Sequence, residues 1–217
     1  MRRKFRYLLI PAQLFVTGAC TPYTVASTAR TVPQGERART TVFYMVPGGA
    51  QSAGDSSSAS MPGFDLEQRF GLDDRSDIGI RIPTISGAIV TYKRRLTGIV
   101  DRDAGGTAIM LGAGFVNGGQ HAHGEVTLIT SGREGGQITP YGGFRALKVL
   151  PLSSIAVSDS PTIGGFGGMR IGRPDAGVSL ELGVFYDRSA LKLRRGDVVI
   201  VPAINVHGSS LLKMFSW

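Results

Sequence analysis

His121, His123 and Glu125 occupy alternate positions in the chain, a spacing that could serve metal binding. Residues two apart lie on the same face of an extended strand, so two imidazoles and one carboxylate would point in one direction. Zinc and similar divalent ions bind such groups. The polar face of a strand shows the same pattern without any ligand, so we expect no bound metal and keep these three residues as a candidate site.

His207 and Ser209 also lie two residues apart, near the end of the chain. A histidine that contacts a serine hydroxyl can act as the general base of a nucleophilic mechanism. The pair resembles the His-x-Ser arrangement of outer-membrane lipid A deacylases, and this resemblance implies an acid that orients the histidine. No acid follows His207, so that acid would have to come from another strand, for example Glu181 or Asp187. Polar residues at a strand end need no catalytic role, so we expect no enzyme activity and keep a lipid-modifying esterase as an alternative.

Two glycine-rich stretches, residues 111–114 and 164–168, superficially suggest phosphate-binding loops. Neither contains the lysine of a P-loop, and no helical pattern follows either one. Glycines between alternating apolar residues are typical of closely packed, curved strands. We therefore expect strand glycines and predict no cofactor.

Cys20 is the only cysteine of the 217 residues, so it has no partner for an intramolecular disulfide. It follows a basic segment, residues 1–6, and a short apolar run, residues 7–16. This order is typical of a secretory signal peptide, and the run is about half of the roughly 20 residues that a membrane-spanning helix needs. We predict a signal peptide over residues 1–19.

The residues Thr17-Gly18-Ala19-Cys20 resemble the lipobox of bacterial lipoproteins. The resemblance implies cleavage before Cys20, attachment of a diacylglycerol to its sulfur, acylation of its new amino group with a chain such as palmitate, and delivery by the lipoprotein-sorting machinery. Several acyl chains together hold a protein stably on a bilayer. Thr21 favours the outer membrane by the same resemblance. Ordinary signal-peptidase cleavage beside a free cysteine stays open as an alternative.

The formal net charge of the chain is +8, but the predicted signal peptide holds four basic residues and no acid. No basic helix and no basic patch with interleaved aromatic residues replaces them, which excludes nucleic acid as a partner. Residues 20–39 contain Pro22, Pro33 and Gly35 and show no apolar periodicity. We predict a flexible, lipid-anchored tether there, followed by one domain over residues 40–217.

Residues 64–82 alternate between apolar and polar side chains on both sides of a turn at residues 73–76. A period of two predicts a β-hairpin with one apolar and one charged face. In a soluble sandwich the apolar face would form the core. In a membrane barrel it would meet lipid, and the charged face would line the lumen.

Eight further segments show the same kind of pattern, which brings the strand count to ten. They are residues 40–47, 86–93, 107–116, 121–131, 137–147, 162–172, 178–186 and 198–206. Together with the tight hairpin and the C-terminal Met214-Phe-Ser-Trp217, these strands resemble small bacterial outer-membrane β-barrel proteins over residues 40–217. The resemblance implies an all-β, antiparallel up-and-down barrel of about 8–12 strands, with ten favoured, that the barrel-assembly machinery inserts among outer-membrane lipids.

The charged faces would then place polar residues in the lumen, namely Asp65, Glu67, Arg69, Asp77, Arg81, Arg145 and Glu181. In a barrel of about ten strands such charges pair across the interior, since open aqueous channels appear near 16 strands. We therefore predict an outer-membrane barrel lipoprotein of the bacterial envelope with a structural, small-solute or surface-interaction role and no catalysis. A soluble periplasmic module, lipocalin-like or a β-sandwich, tethered by its lipid alone, stays open as an alternative.

Overall fold

The computed structural model describes residues 22–51, 58–84, 86–98, 103–134, 136–152, 161–173, 176–186 and 198–208, with the backbone alone at 48–51 and 58–59. The predicted signal peptide, Cys20, Asp187, Ser209 and the C-terminal Met214–Trp217 lie outside these residues. Within the described ranges, no helix has the length and apolarity needed to span a membrane.

Ten strands form one antiparallel sheet that closes on itself. They are β1 (Arg37–Gln51), β2 (Ser58–Gly71), β3 (Ser76–Pro83), β4 (Ala88–Arg95), β5 (Gly106–Val116), β6 (His121–Ser131), β7 (Ile138–Pro151), β8 (Thr162–Arg173), β9 (Ala176–Tyr186) and β10 (Val198–His207). Each strand pairs with its neighbours along the chain, and β1 pairs with β10 from Thr40 opposite His207 to Tyr44 opposite Ala203. The up-and-down ten-stranded barrel predicted from the alternation is confirmed.

The barrel has two open ends, here called the proximal and the distal rim. The proximal rim is the end at which β1 begins and β10 ends, and it also contains the tight β2–β3 turn. In that turn the Ser76 hydroxyl donates to Asp73 Oδ2 at 2.7 Å and the Arg75 N–H donates to Oδ1 at 2.6 Å. These hydrogen bonds hold the pKa of Asp73 below its usual range. The distal rim is the opposite end of the barrel.

Apolar side chains face outward on every strand. Along β9, for example, Leu180, Leu182 and Val184 are each about half exposed, while Glu181 and Phe185 between them are buried. The soluble alternatives require the reverse, with the apolar face enclosed and the charged face outside. The observed polarity corrects both: the sheet is a closed barrel instead of a sandwich, and a lipocalin-like module would not expose its apolar face.

Residues 22–33, named here the plug segment, run through the interior of the barrel. Val25 and Ala29 are fully buried, and the ring of Tyr23 packs against Phe185 with 5.5 Å between the ring centroids. Charged side chains of the strands bind the main chain of this segment. The placement corrects the predicted flexible tether over these residues, because a tether would leave their backbone in solvent.

The plug segment leaves the barrel at the proximal rim beside Gly71. A Cβ atom on Gly71 would collide with the main chain of Val32 and Pro33, so a side chain at this position would block the crossing. Beyond it the chain turns through exposed residues, and Gly35, with φ of 77°, donates its N–H to the Gly71 carbonyl at 3.2 Å. The chain then enters β1 at Arg37, slightly before the predicted start of the domain.

Glycines of β8 let the barrel wall curve closely around its contents. The side-chain position of Gly164 points into the barrel, where an added Cβ would collide with the Val184 carbonyl and the Phe185 ring. Gly167 faces outward, and a Cβ there would meet nothing within 4 Å. The run 164–168 is thus part of a strand, as its lack of a P-loop lysine indicates.

We expect Gly164→Ala to destabilise the barrel by about 1–3 kcal/mol, because the added methyl group overpacks a site bounded by backbone. The measurement is urea-induced unfolding of the purified protein in detergent micelles. Gly167→Ala, in the same strand, is the matched control and should change the free energy of unfolding by no more than about 0.5 kcal/mol. Equal effects of the two substitutions would contradict the observed facing of β8.

Candidate functional site

The structure places all seven predicted lumen residues inside the barrel, and none of their side chains faces outward. They are Asp65, Glu67, Arg69, Asp77, Arg81, Arg145 and Glu181, each no more than 5% exposed. Each lies at an inward-facing position of its strand, alternating with the exposed apolar residues that face outward. The candidate functional site is therefore the charged lumen together with the plug segment that fills it.

An ion-pair network occupies the wall formed by β2 and β3. Glu67 accepts hydrogen bonds from Arg69 at 2.5 Å and from Arg81 at 3.1 Å, and Arg69 Nε also donates to Asp77 Oδ1 at 2.7 Å. All four side chains are buried. Ions removed from water remain charged when each has opposite partners and hydrogen bonds, and this network provides both.

The carboxylate of Glu181 binds two consecutive main-chain amides of the plug segment. The Val25 N–H donates to Oε1 and the Ala26 N–H donates to Oε2, both at 2.8 Å. The Tyr141 hydroxyl donates to Oε2 at 2.9 Å and so fixes the carboxylate from the β7 side. A second carboxylate, on Asp77, accepts the N–H of Val32 at 2.8 Å.

Cationic side chains bind the main-chain carbonyls of the same segment. Arg81 donates to the carbonyls of Thr24 at 3.0 Å and Val25 at 3.2 Å, and Arg145 also donates to Thr24. Lys93 Nζ donates to the carbonyl of Thr28 at 3.3 Å, to that of Arg30 at 2.5 Å and to the Ser27 hydroxyl at 3.0 Å. Hydrogen bonds from charged groups are the stronger class in proteins, so these contacts anchor the segment along its length.

Side chains of the plug segment pack into two apolar clusters on opposite walls. Tyr23 and Ala26 pack among buried residues of β1, β9 and β10. Val25 and Ala29 pack among buried residues of β5, β6, β7 and β8. The apolar contacts therefore centre the segment, and the charged groups hold its backbone.

The predicted metal candidates make hydrogen bonds with neighbouring side chains. His123 Nε2 lies 2.8 Å from Glu125 Oε2, and that oxygen also accepts a hydrogen bond from Arg145. His121 Nδ1 lies instead 3.2 Å from the Asn117 side-chain amide, near the distal rim. In the part of the chain that the structure describes, no three histidine, cysteine or acidic residues come together as metal ligands.

His207 contacts a serine, but a different one from the residue that the sequence suggested. Its Nε2 lies 2.6 Å from Ser179 Oγ, and its Nδ1 lies 3.1 Å from Thr40 Oγ1. Both ring nitrogens thus have hydroxyl partners, and Glu181 binds the plug segment instead of orienting the histidine. Glu181 is therefore not the acid that orients His207 in this structure, while Asp187 and Ser209 lie outside the described residues.

A cavity of about 460 Å³ lies at the proximal rim between the plug segment and the wall. Its lining includes the basic residues Arg30, Lys93, Arg170 and His207 and the acid Glu67. The cavity is large enough for a small solute, but the plug segment forms one of its sides.

Buried residues of the site that were not predicted include Lys93, Arg170 and Tyr141. Lys93 binds the plug segment, Arg170 donates to Thr28 Oγ1 at 2.5 Å and forms an ion pair with Glu134 at 2.8 Å, and Tyr141 supports Glu181. Each lies at an inward-facing position of its strand. Following the alternation of apolar and polar residues through β4, β7 and β8 would therefore have identified them.

We expect Glu67→Gln to lower the free energy of unfolding by about 3–5 kcal/mol, because it leaves Arg69 and Arg81 short of one charged partner in a buried site. Urea unfolding in detergent micelles measures the change. Glu36→Gln, an exposed acid at the proximal rim, is the control and should cost no more than about 0.5 kcal/mol. Indistinguishable unfolding midpoints for the two variants would show that the buried network does not stabilise the barrel.

No protein-family model matches this chain, and no curated protein sequence matches it. The solved structures to which it is similar include an outer-membrane channel from Pseudomonas putida F1, with 11% identity, a TM-score of 0.41, and coverage of 83% of this chain and 97% of the other. Neisserial surface protein A has 11% identity and a TM-score of 0.34 over 78% of this chain and 95% of its own. The outer membrane protein OprG from Pseudomonas aeruginosa has 13% identity and a TM-score of 0.31 over 83% of this chain and 99% of its own. Because the identities and TM-scores are low, the functional conclusion depends on this chain's own geometry.

Proposed function

We propose that this chain is an integral β-barrel of the bacterial outer membrane with a structural or surface-interaction role, and that it has no catalytic activity. The observation that carries the proposal is the outward-facing apolar surface, which is continuous around all ten strands. A soluble protein rarely exposes apolar patches larger than a few hundred Å². A lipid bilayer is the environment that makes such a surface stable.

The position of the outward-facing charges supports this proposal. At the proximal rim the exposed cations include Arg37, Arg39, Arg94 and Arg173 on the strands and Arg75 and Arg133 in the loops, and near the distal rim there is Lys148. Between these two levels, no outward-facing side chain that the structure describes carries a charge. Long basic side chains at both edges of an apolar band extend into the lipid headgroups, as expected for a barrel that crosses the bilayer.

The filled lumen favours a structural or surface role over that of an open pore. The plug segment, the charged network and the two apolar clusters occupy the interior, and an open aqueous channel is a property of much wider barrels. Small-solute binding at the proximal rim cavity is compatible with this arrangement, because that cavity opens beside the plug segment.

We also propose that residues 1–19 are a signal peptide and that Cys20 is acylated. The basic segment, the short apolar run and the small residues before Cys20 support this assignment. The barrel-assembly and lipoprotein-sorting machineries are then its partners during delivery. Because the outward-facing apolar surface already holds the barrel in the membrane, the acyl chains would fix the N-terminal end of the chain to the bilayer.

Leu182→Arg tests the membrane assignment, because Leu182 faces outward near the middle of β9. In lipid vesicles we expect it to lower the free energy of unfolding by about 2–4 kcal/mol, the cost of an arginine at the bilayer midplane. Val206→Arg, outward-facing near the proximal rim, is the matched control and should cost about 0–1 kcal/mol. Similarly small losses of unfolding free energy for both variants would contradict an outward-facing surface that lies in the membrane.

Cys20→Ser tests the lipid anchor. When cells are grown with radiolabelled palmitate, the wild-type chain should incorporate label and the Cys20→Ser variant should not, since serine has no sulfur to carry the diacylglycerol and lipoprotein-type cleavage requires the modified cysteine. Heat-dependent mobility on SDS gels provides the control, because both forms should still fold into a closed barrel. A wild-type barrel without label would show that ordinary signal peptidase processes the chain.

A further inference from the structure

The lumen binds the plug segment chiefly through main-chain atoms. Carboxylates accept hydrogen bonds from the main-chain N–H groups of Val25, Ala26 and Val32. The Ser131 hydroxyl accepts one from the N–H of Ala29 at 3.2 Å. Basic side chains donate to the carbonyls of four residues: Thr24, Val25, Thr28 and Arg30. Every polypeptide carries these groups, so recognition of this kind depends on an extended backbone more than on sequence.

The side chains of the segment contribute a smaller part of the recognition, through a few polar contacts as well as through shape. Thr28 Oγ1 accepts a hydrogen bond from Arg170, and Ser27 Oγ accepts one from Lys93. The hydroxyl of Thr24 is buried and has no hydrogen-bond partner, so the site does not read that side chain as a polar group. The positions of Tyr23, Val25 and Ala29 require an aromatic ring and two small apolar groups, which the opposite walls enclose. The site therefore fits an extended peptide with small or apolar residues at alternate contacts.

The barrel wall closes without backbone pairing to the plug segment. All ten strands pair with one another around the ring, and the bridge between Gln34 and Gly71 lies outside the segment, at the proximal rim. The segment is joined to β1 by the exposed residues 34–36. In its contacts it resembles a bound ligand that happens to be covalently attached.

We propose that the lumen is a binding site for an extended polypeptide, occupied in this structure by residues 22–33 of the same chain, and that it accepts a separate peptide when its own segment leaves. This inference goes beyond the proposed function and does not depend on the membrane assignment, because it rests only on contacts inside the barrel. The charges of the wall match the alternating N–H and C=O groups of a peptide backbone, which distinguishes this ligand from a sugar or a simple ion.

The experiment uses the full-length protein with a protease recognition sequence inserted between Gly35 and Glu36, where the chain is exposed. The folded protein is cut in detergent, and size-exclusion chromatography shows whether the N-terminal fragment stays with the barrel. A fluorescent synthetic peptide of residues 22–33 is then added, and fluorescence anisotropy reports its exchange into the cut barrel. We expect the fragment to be retained and the peptide to exchange and bind saturably.

Two lumen variants and one control identify the binding contacts. Glu181→Gln puts an amide group against the amides of Val25 and Ala26, and Lys93→Met removes three donated hydrogen bonds. Each should speed release of the fragment at least about tenfold, equivalent to the loss of about 1.4 kcal/mol. Lys148→Met, the matched control for Lys93→Met, changes an exposed cation on the outer face of the barrel, away from the plug segment, and it should leave release unchanged.

Peptide variants separate recognition of the main chain from recognition of side chains. N-methylation at Ala26 and Val32 removes two donors and should abolish saturable binding. The isosteric Thr24→Val peptide should bind within about twofold of the parent, because its hydroxyl makes no hydrogen bond.

The inference fails if the cut fragment separates at once and no peptide binds. It also fails if N-methylated and parent peptides bind equally, or if Lys148→Met speeds release as much as Lys93→Met does. A variant that does not fold is recognised by the loss of its heat-dependent gel mobility. In that case the peptide variants still test the inference, because they are added to the cut barrel without lumen substitutions.

Discussion

The pairing of buried charges is the constraint on which the rest of this structure depends. A ten-stranded barrel that faces outward with apolar side chains must place its acids and bases inside, where an ion without a partner costs several kcal/mol. The ion pairs of Glu67 with Arg69 and Arg81 satisfy part of that requirement within the wall. The backbone of the plug segment satisfies much of the rest, since Glu181, Arg145 and Lys93 all bind it.

The interior charges therefore explain why the N-terminal segment is inside the barrel. Residues 22–33 contain few charges of their own, yet they supply amides to carboxylates and carbonyls to cations. Water could provide the same groups, but an extended chain also brings Tyr23 and Val25 into the apolar clusters on opposite walls. The plug segment thus satisfies both polar and apolar parts of the lumen, which no single small solute would do.

The sequence allowed the wall to be predicted but not its contents. Alternation in residues 64–82 requires only local information, and it fixed the faces, the hairpin and the inward position of Asp65 and Glu67. The plug segment has no periodicity, and its hydrogen-bond partners on the barrel lie between 43 and 156 residues away along the chain, so no periodic pattern marked it as buried. Its one local sign was a run of small and apolar residues without glycine or charge at 22–29, unlike an ordinary flexible linker. Ser179 escaped notice because its contact with His207 depends on the register between β9 and β10.

The position of the plug segment constrains the order in which the barrel can assemble. β1 and β10 are the first and last strands, so their pairing is the step that turns an open sheet into a ring. Tyr23 packs beside Phe185 in the distal half, whereas Pro33 lies at the proximal rim. Because residues 34–36 tie the segment to β1, it already lies near the interior before β1 and β10 meet. Docking of the segment during folding supplies partners to the buried charges as the wall forms, and His207, hydrogen-bonded to both Thr40 and Ser179, then fastens that seam.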